Sequence, residues 1–139
     1  MAQKDQFIAK LNKALEWEYA AAIQYIQHAA VITGAQYGSI AEEMVVHANE
    51  EIEHAIQVSQ MIADLGGTPT IDVEKRMISP DAVTMLEQDL EGEYIAIRDY
   101  KELIKMAFEL DEFGKRTILE KILADEEEHA RDLLGALGK

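Results

Sequence analysis

The sequence contains no cysteine, which excludes disulfides, thiolate metal sites and thiol catalysis. No apolar run approaches the roughly 20 residues that a membrane-spanning helix requires. The first residues lack a basic stretch followed by an apolar stretch, so they do not indicate a secretory signal. Together these absences predict a cytoplasmic protein with no membrane partner.

Basic residues are also scarce, because 13 lysines and arginines stand against 27 acidic residues and the formal net charge is -14. Such a surface repels phosphate backbones, and the sequence has no basic tail to offset this repulsion. We therefore expect no nucleic-acid partner. The same electric field attracts small cations, although acidic surfaces commonly serve solubility alone.

Prolines and glycines are few, and they divide the chain into four long segments with helical periodicity. These segments cover residues 5–32, 39–65, 79–110 and 111–137. We expect Ser39, Ser79 and Asp111 to cap the last three helices. Two short loops and a long connection at residues 66–78 predict an all-α, ferritin-like antiparallel four-helix bundle, with one crossover between helices two and three. The length fits a single domain over residues 1–139.

Ionisable residues occupy core positions near the middle of all four predicted helices. Each helix has an apolar stripe at three-to-four spacing, and the stripes include Glu18, Glu51, His54, Glu93, Glu126 and His129. A buried carboxylate without a partner is costly or takes up a proton. No lysine or arginine lies on the same stripes, whereas two divalent cations would neutralise the four carboxylates. The pattern therefore predicts a dinuclear metal site.

The spacing of these residues repeats along the chain. Glu51 and His54, like Glu126 and His129, form a Glu-x-x-His motif, which places carboxylate and imidazole one turn apart on one helix face. A core glutamate lies 33 positions before each motif, so the two halves repeat with an offset of 75 residues. One such motif in a glutamate-rich chain is typically a solvated helix face. Two motifs on core stripes, each with a matched upstream glutamate, indicate metal binding.

Oxygen and nitrogen ligands without sulfur suit iron or manganese, and zinc stays an alternative. Redox chemistry would then belong to the metal, while the protein supplies geometry and a dry pocket. Tyr25 lies two turns after Glu18 and is a candidate to hydrogen-bond a ligand carboxylate or to donate an electron during oxygen reduction. The alternative is an ordinary core tyrosine.

Three more polar residues lie close to the motifs. Asp125 and Glu50 are candidates to fix the tautomer of a ligand histidine on another helix, and the alternative is a solvated acidic face. His47 precedes Glu51 by one turn but has Ile122 as its counterpart in the repeat. We interpret His47 as a buried histidine, with a transient iron site as the alternative.

Around these residues the chain resembles the ferritin-like superfamily, and bacterioferritin in particular. The likeness runs from about residue 11 to 134 and rests on Leu11 to Lys13, Glu18, Gln24-Tyr25, His28-Ala29, Glu51-x-x-His54-Ala55 and Asp125-Glu126-x-x-His129. The resemblance implies a di-iron ferroxidase centre within each subunit that oxidises Fe(II) with O2 or H2O2, and a hollow homo-oligomer that stores ferric mineral. The implied terminal ligands are Glu18 and Glu93, the bridging ligands are Glu51 and Glu126, and the nitrogen donors are His54 and His129.

The chain departs from the bacterioferritin pattern in three respects. The methionine through which that family binds haem between two subunits would fall at position 52, and Ile52 argues against haem by that route. The sequence ends at Lys139, so we expect a short form without the fifth helix. A dimer and shells of about 12 or 24 subunits all remain open. Glu50 stands where the family usually has aspartate.

Helices one and two carry a second apolar stripe, which predicts a homodimer through these helices. The stripe consists of Tyr19, Ile23, Ile26 and Ala30 on helix one and Val45, Ile52, Ile56 and Ala63 on helix two. The expected function is a ferroxidase for iron storage or detoxification. One alternative is a dimeric di-iron or di-manganese oxidoreductase or peroxidase that stores no mineral, and another is a bundle whose site holds zinc or nothing.

Overall fold

The computed structural model describes residues 2–139, which form an antiparallel bundle of four long helices. Helix α1 covers Gln3–Val31, α2 covers Gly38–Asp64, α3 covers Ala82–Glu109 and α4 covers Phe113–Ala136, with a short 3-10 helix at Ala35–Tyr37. Helix α1 packs chiefly on α2 and α3 on α4, while α1 also contacts α3 and α2 contacts α4. The predicted four-helix bundle with its long crossover between the second and third helices is confirmed.

The predicted caps of the last three helices are wrong in detail. The 3-10 helix leads directly into α2, whose N-terminus has no side-chain cap, so Ser39 does not cap it. Asp81 rather than Ser79 caps α3, because its carboxylate accepts a hydrogen bond from the Thr84 backbone N–H at 2.9 Å. Asp111 adopts a φ of 57° between α3 and α4 and does not cap α4. These shifts of a few residues leave the inward faces of the helices unchanged.

The apolar core consists of two clusters at opposite ends of the bundle. The larger cluster lies at the start of α1 and the end of α2 and includes Phe7, Leu11, Leu15, Ile62, Leu103 and Leu119. The smaller cluster lies at the end of α1 and the start of α2 and includes Tyr25, Ile40, Met44, Leu86 and Leu133. Full burial of one such large side chain contributes about 1.5–3 kcal/mol. The clusters therefore hold the helices together on both sides of a central polar layer.

The crossover between α2 and α3 lies along α1 and is tied to it by hydrogen bonds. The Asn12 amide donates to the Thr68 carbonyl at 3.2 Å and accepts from the Thr70 backbone N–H at 2.8 Å. Further along, the Gln24 side chain donates to the Met77 carbonyl at 3.1 Å. The segment is therefore held in place against the bundle although it has no regular secondary structure.

The second apolar stripe is exposed on α1 and α2. Its isoleucines at positions 23, 26 and 56 each expose more than half of their surface, and Ile52 exposes 44%. A groove of about 520 Å³ runs along this face, and Glu18, Tyr19 and Ile52 are among the residues that line it. Within residues 2–139, none of the helices combines the length and hydrophobicity that crossing a bilayer requires.

Candidate metal centre

Six ionisable side chains from all four helices meet between the two apolar clusters, and each exposes 2% or less of its surface. They are the six that the sequence pattern predicts: Glu18 on α1, Glu51 and His54 on α2, Glu93 on α3, and Glu126 and His129 on α4. Helical periodicity explains this arrangement, because each residue lies on the inward face at the same depth of the bundle.

The six residues form two overlapping groups, in each of which one potential ligand atom per residue lies within 4.8 Å of the others. One group is Glu18, Glu51, His54 and Glu126, and the other is Glu51, Glu93, Glu126 and His129. Each group contains one histidine and one glutamate of its own. Glu51 and Glu126 belong to both groups and therefore lie where they could bridge two cations.

The two imidazoles direct the same nitrogen towards the carboxylates. His54 Nδ1 lies 3.3 Å from Glu18 Oε2 and 3.1 Å from Glu51 Oε1. On the other side, His129 Nδ1 lies 3.0 Å from Glu93 Oε2 and 3.3 Å from Glu126 Oε1. The matching distances give the centre an approximate twofold symmetry, as expected from the internal repeat in the sequence.

Carboxylates outside the cluster contact the opposite nitrogen of each imidazole. His54 Nε2 lies 2.8 Å from Asp125 Oδ2, and His129 Nε2 lies 3.3 Å from Glu50 Oε1. Asp125 in turn accepts a hydrogen bond from the Lys121 ammonium at 2.6 Å. When Nε2–H donates to these carboxylates, the lone pair of each Nδ1 faces the centre. Both residues thus lie where they can fix the histidine tautomers.

Two buried tyrosines donate hydrogen bonds across the bundle to the outer glutamates. Tyr25 on α1 donates to Glu93 Oε2 at 2.5 Å, and Tyr100 on α3 donates to Glu18 Oε1 at 2.9 Å. Burial and the neighbouring carboxylates raise the pKa of both phenols well above the usual value. Both hydroxyls therefore keep their protons and act as donors at neutral pH.

Burial and mutual repulsion govern the ionisation of the cluster. Burial, together with the charge of Glu126, raises the pKa of Glu18 to about 7 and that of Glu93 to about 8. Burial also raises the pKa of Glu51 well above its usual value. Burial opposes protonation of His129, but its contacts with Glu126 and Glu93 outweigh this effect and raise its pKa to about 11. Without cations the cluster therefore binds protons, and divalent cations compete with these protons for the same atoms.

Several buried atoms of the cluster are left for a metal pair to bind. Five buried cluster atoms form no hydrogen bond of good geometry in the described chain, although His54 Nδ1 contacts carboxylate oxygens at 3.1–3.4 Å. They are Glu18 Oε2, Glu51 Oε1, His54 Nδ1 and both carboxylate oxygens of Glu126. Each unpaired buried polar atom costs about 1–3 kcal/mol. Carboxylate and imidazole donors suit iron or manganese, and two divalent cations balance four carboxylates. The residues therefore fit a pair of divalent cations.

Two buried polar residues beside the centre are not predicted from the sequence. His28 Nδ1 lies 2.9 Å from Asp89 Oδ2, and both side chains are buried. Asp89 also lines a small cavity that borders Glu93 and Glu126. The sequence does contain one indication of Asp89. It precedes Glu93 by four residues, so the two side chains lie on the same helix face.

Arg76 of the crossover closes the other side of this cavity. Its guanidinium donates to Gln24 Oε1 at 2.9 Å and to the Gln88 carbonyl at 2.7 Å, and it lies over the Trp17 ring. Gly92 makes room for it, because a Cβ at that position would lie 2.8 Å from Arg76 Nη2. No periodic pattern marks residues in an irregular connection, so the sequence does not indicate this contact.

Known proteins match the chain over nearly its whole length. The family model described as a ferritin-like domain matches residues 8–139. A bacterioferritin from Desulfovibrio desulfuricans is 30% identical over 128 residues, which cover 91% of this chain and 72% of that protein. A ferritin-like, diiron-carboxylate protein from Bacillus anthracis has a TM-score of 0.92 and 29% identity, with 96% of both chains covered. A dodecameric thioferritin, the bacterioferritin-related protein of Bacteroides fragilis, has a TM-score of 0.90 and 32% identity, with 97% of this chain and 86% of that chain covered.

Proposed function

The chain belongs to the ferritin-like family, and from this premise we propose that it is a ferroxidase of the iron-storage type. It would oxidise Fe(II) with O2 or H2O2 at the buried cluster of carboxylates and imidazoles. The observation that carries the proposal is the pair of overlapping ligand groups, which share Glu51 and Glu126 and leave several buried atoms unpaired. The similarity to a bacterioferritin and to the diiron-carboxylate protein of Bacillus anthracis supports iron as the metal.

Each residue of the centre has a proposed role that follows from its position. Glu51 and Glu126 would hold both cations, since both residues belong to the two ligand groups. The remaining ligands divide between the two sites, with Glu18 and His54 at one and Glu93 and His129 at the other. When bound, two iron ions would supply the redox chemistry, since each Fe(II) can give one electron to the oxidant. Ile52 offers no ligand atom, so the proposal includes no haem at that position.

The protein contributes orientation, protons and exclusion of water. Asp125 holds the His54 ring by its Nε2 atom, which keeps Nδ1 directed at the centre. Tyr25 holds the Glu93 carboxylate with a hydroxyl that can also donate a proton or an electron near the oxidant. The apolar clusters on both sides keep water from the centre, which strengthens every charge interaction within it.

A homo-oligomer with a hollow interior is part of the proposal. The exposed apolar stripe of α1 and α2 supports a dimer through this face, since monomeric proteins rarely expose large contiguous apolar patches. The Bacteroides fragilis relative is dodecameric, which supports a larger shell built from such dimers. All four helices enclose one centre, which supports our proposal that residues 1–139 form a single ferritin-like di-iron domain.

Iron uptake in air tests the storage function. Fe(II) is added in large excess over protein chains, and oxidation is followed by absorbance while iron and protein are measured together across a size-exclusion column. We expect oxidation far beyond about two Fe(II) per chain, with ferric mineral in a high-mass protein fraction. Oxidation that stops at about two per chain, in a dimer without mineral, would contradict storage and favour the non-storing oxidoreductase.

A matched pair of variants tests the centre itself. The double variant Glu51→Gln, Glu126→Gln removes two proposed bridging ligands and should lose rapid Fe(II) oxidation. The control Glu53→Gln, Glu127→Gln changes the charge equally on exposed positions of the same two helices and should oxidise Fe(II) as the wild type does. Equal rates in the two double variants would contradict the assignment of Glu51 and Glu126.

A further inference from the structure

A second group of potential metal ligands lies beside the centre, on α2 and α4. His47 Nε2 lies 3.0 Å from Asp132 Oδ2 and 3.9 Å from Glu43 Oε1. One potential ligand atom from each of these residues lies within 4.8 Å of the other two. None of the three belongs to the six residues of the proposed centre. We call Glu43, His47 and Asp132 the outer group.

The outer group connects the protein surface to the centre. The Glu43 and Asp132 side chains are 42% and 33% exposed, whereas the His47 side chain is fully buried. The His47 ring stacks on His129, with ring centroids 4.0 Å apart and an angle of 23° between the planes. A ring nitrogen of His47 also lies within 4.8 Å of potential ligand atoms of Glu93 and His129. His47 thus separates two solvent-accessible carboxylates from the buried cluster.

A hydrogen bond between His47 and Asp132 does not explain the position of Glu43 or the unpaired second nitrogen of His47. The other ring nitrogen, Nδ1, is buried and has no hydrogen-bond partner in the described chain. Glu43 also approaches Nε2, although Asp132 already occupies it. Two carboxylates therefore lie close to one nitrogen of this histidine, and their negative charges repel each other. A bound cation would relieve that repulsion.

We propose that Glu43, His47 and Asp132 bind a third divalent cation of the first-row transition-metal class at the surface end of the centre. One imidazole and two carboxylates are a common ligand set for such ions, and metal–ligand bonds of about 2.0–2.2 Å place the donor atoms about 3–4 Å apart. Three protein donors leave a coordination position for water, as in catalytic zinc sites. A cation held there would lie on the surface side of the His47 ring, which stacks on His129.

Anaerobic equilibrium dialysis with Co2+ tests the third site without any oxidation chemistry. Salt at about 0.2 M screens weak binding to the acidic surface. We expect about three Co2+ per wild-type chain, and about two for Asp132→Asn and for Glu43→Gln. The control Glu42→Gln changes an exposed neighbour by the same charge and should keep about three. Circular dichroism checks that each variant retains its helices, and Glu43→Gln carries the test if Asp132→Asn unfolds.

The stoichiometries separate failure of the outer group from failure of the proposed centre. The double variant Glu51→Gln, Glu126→Gln should retain about one Co2+, which then depends on Asp132. Binding of about two Co2+ by the wild type and by Asp132→Asn alike would overturn the third site and leave the centre intact. Binding of about one Co2+ that Asp132→Asn abolishes would support the outer group and contradict the centre. Equal loss in Glu42→Gln would show a surface-charge effect and overturn the inference.

Discussion

Replacing Glu93 with glutamine should have opposite effects on the metal-free and metal-loaded protein. Glu93 is 2% exposed, accepts a hydrogen bond from Tyr25 and lies 3.0 Å from His129 Nδ1. Burial and the charge of Glu126 raise its pKa from 4.5 to about 8. The stability contributed by such a group is fully present below pH 4.5 and is lost as the pH rises through about 8. Glutamine carries no charge at any of these pH values and so escapes this loss.

The magnitude follows from the two pKa values of Glu93. Keeping this carboxyl buried costs at most about 4 kcal/mol at pH 8 and about 1 kcal/mol at pH 5. At roughly 3 °C per kcal/mol for a chain of this length, metal-free Glu93→Gln should unfold about 10 °C above the wild type at pH 8. The metal-loaded variant should show the reverse. A ligand loss that weakens binding about 100-fold removes up to about 2.7 kcal/mol of metal-dependent stabilisation.

Thermal unfolding by circular dichroism measures both effects, at pH 5 and pH 8, with and without Co2+ under exclusion of oxygen. Glu91→Gln is the matched control, because Glu91 is exposed on the same helix, and it should change neither unfolding temperature by more than about 2 °C. A metal-free Glu93→Gln variant that unfolds below the wild type at pH 8 would refute the electrostatic reasoning. Equal stabilisation of variant and wild type by Co2+ would refute the ligand role.

Three further predictions concern the whole cluster, Tyr25 and the crossover. Metal-free wild-type protein should become less stable between pH 5 and pH 8, because Glu18 and Glu93 give up their protons with pKa values of about 7 and 8; unfolding temperature measures this. Tyr25→Phe should still bind Co2+ at the centre but oxidise Fe(II) at least about 10-fold more slowly in stopped-flow experiments, because Glu93 loses its donor. Gly92→Ala should stabilise an Arg76→Ala background by about 1 kcal/mol in urea unfolding but give no such gain in the wild type, where the new Cβ displaces the guanidinium.

Each of these predictions has a result that would contradict it. A flat or rising pH profile of the metal-free protein would show that the buried carboxylates do not control its stability. An unchanged oxidation rate in Tyr25→Phe would make that hydroxyl a packing feature only, with Tyr100→Phe as the symmetry-related comparison. An equal effect of Gly92→Ala in both backgrounds would show that Arg76 does not depend on the space beside that glycine.

Helical periodicity made the bundle and the six central residues predictable. Glu51 and His54 lie one turn apart on an apolar stripe, and the same motif recurs at Glu126 and His129. A stripe of this kind must face the interior, so the helices bring the motifs to the same depth without further information. The internal repeat likewise predicted the approximate symmetry, which relates Tyr25 to its counterpart on α3.

Contacts that depend on irregular backbone or on distant, unmatched residues were not predictable. The caps were misplaced because Asp81 competes with Ser79 for the start of α3, and local sequence does not decide between them. Arg76 reaches the cavity from a connection that has no period. His47 meets Asp132 from 85 positions away, and neither repeat spacing nor charge pattern links the two.

Anomalous scattering from crystals soaked anaerobically with Fe(II) tests the central claim most directly. The claim is that buried carboxylates at mid-bundle depth bind two cations within one chain. We predict two strong iron peaks between Glu51 and Glu126, one next to His54 and the other next to His129. Iron found only at the protein surface, with the central side chains unchanged and without metal, would contradict it.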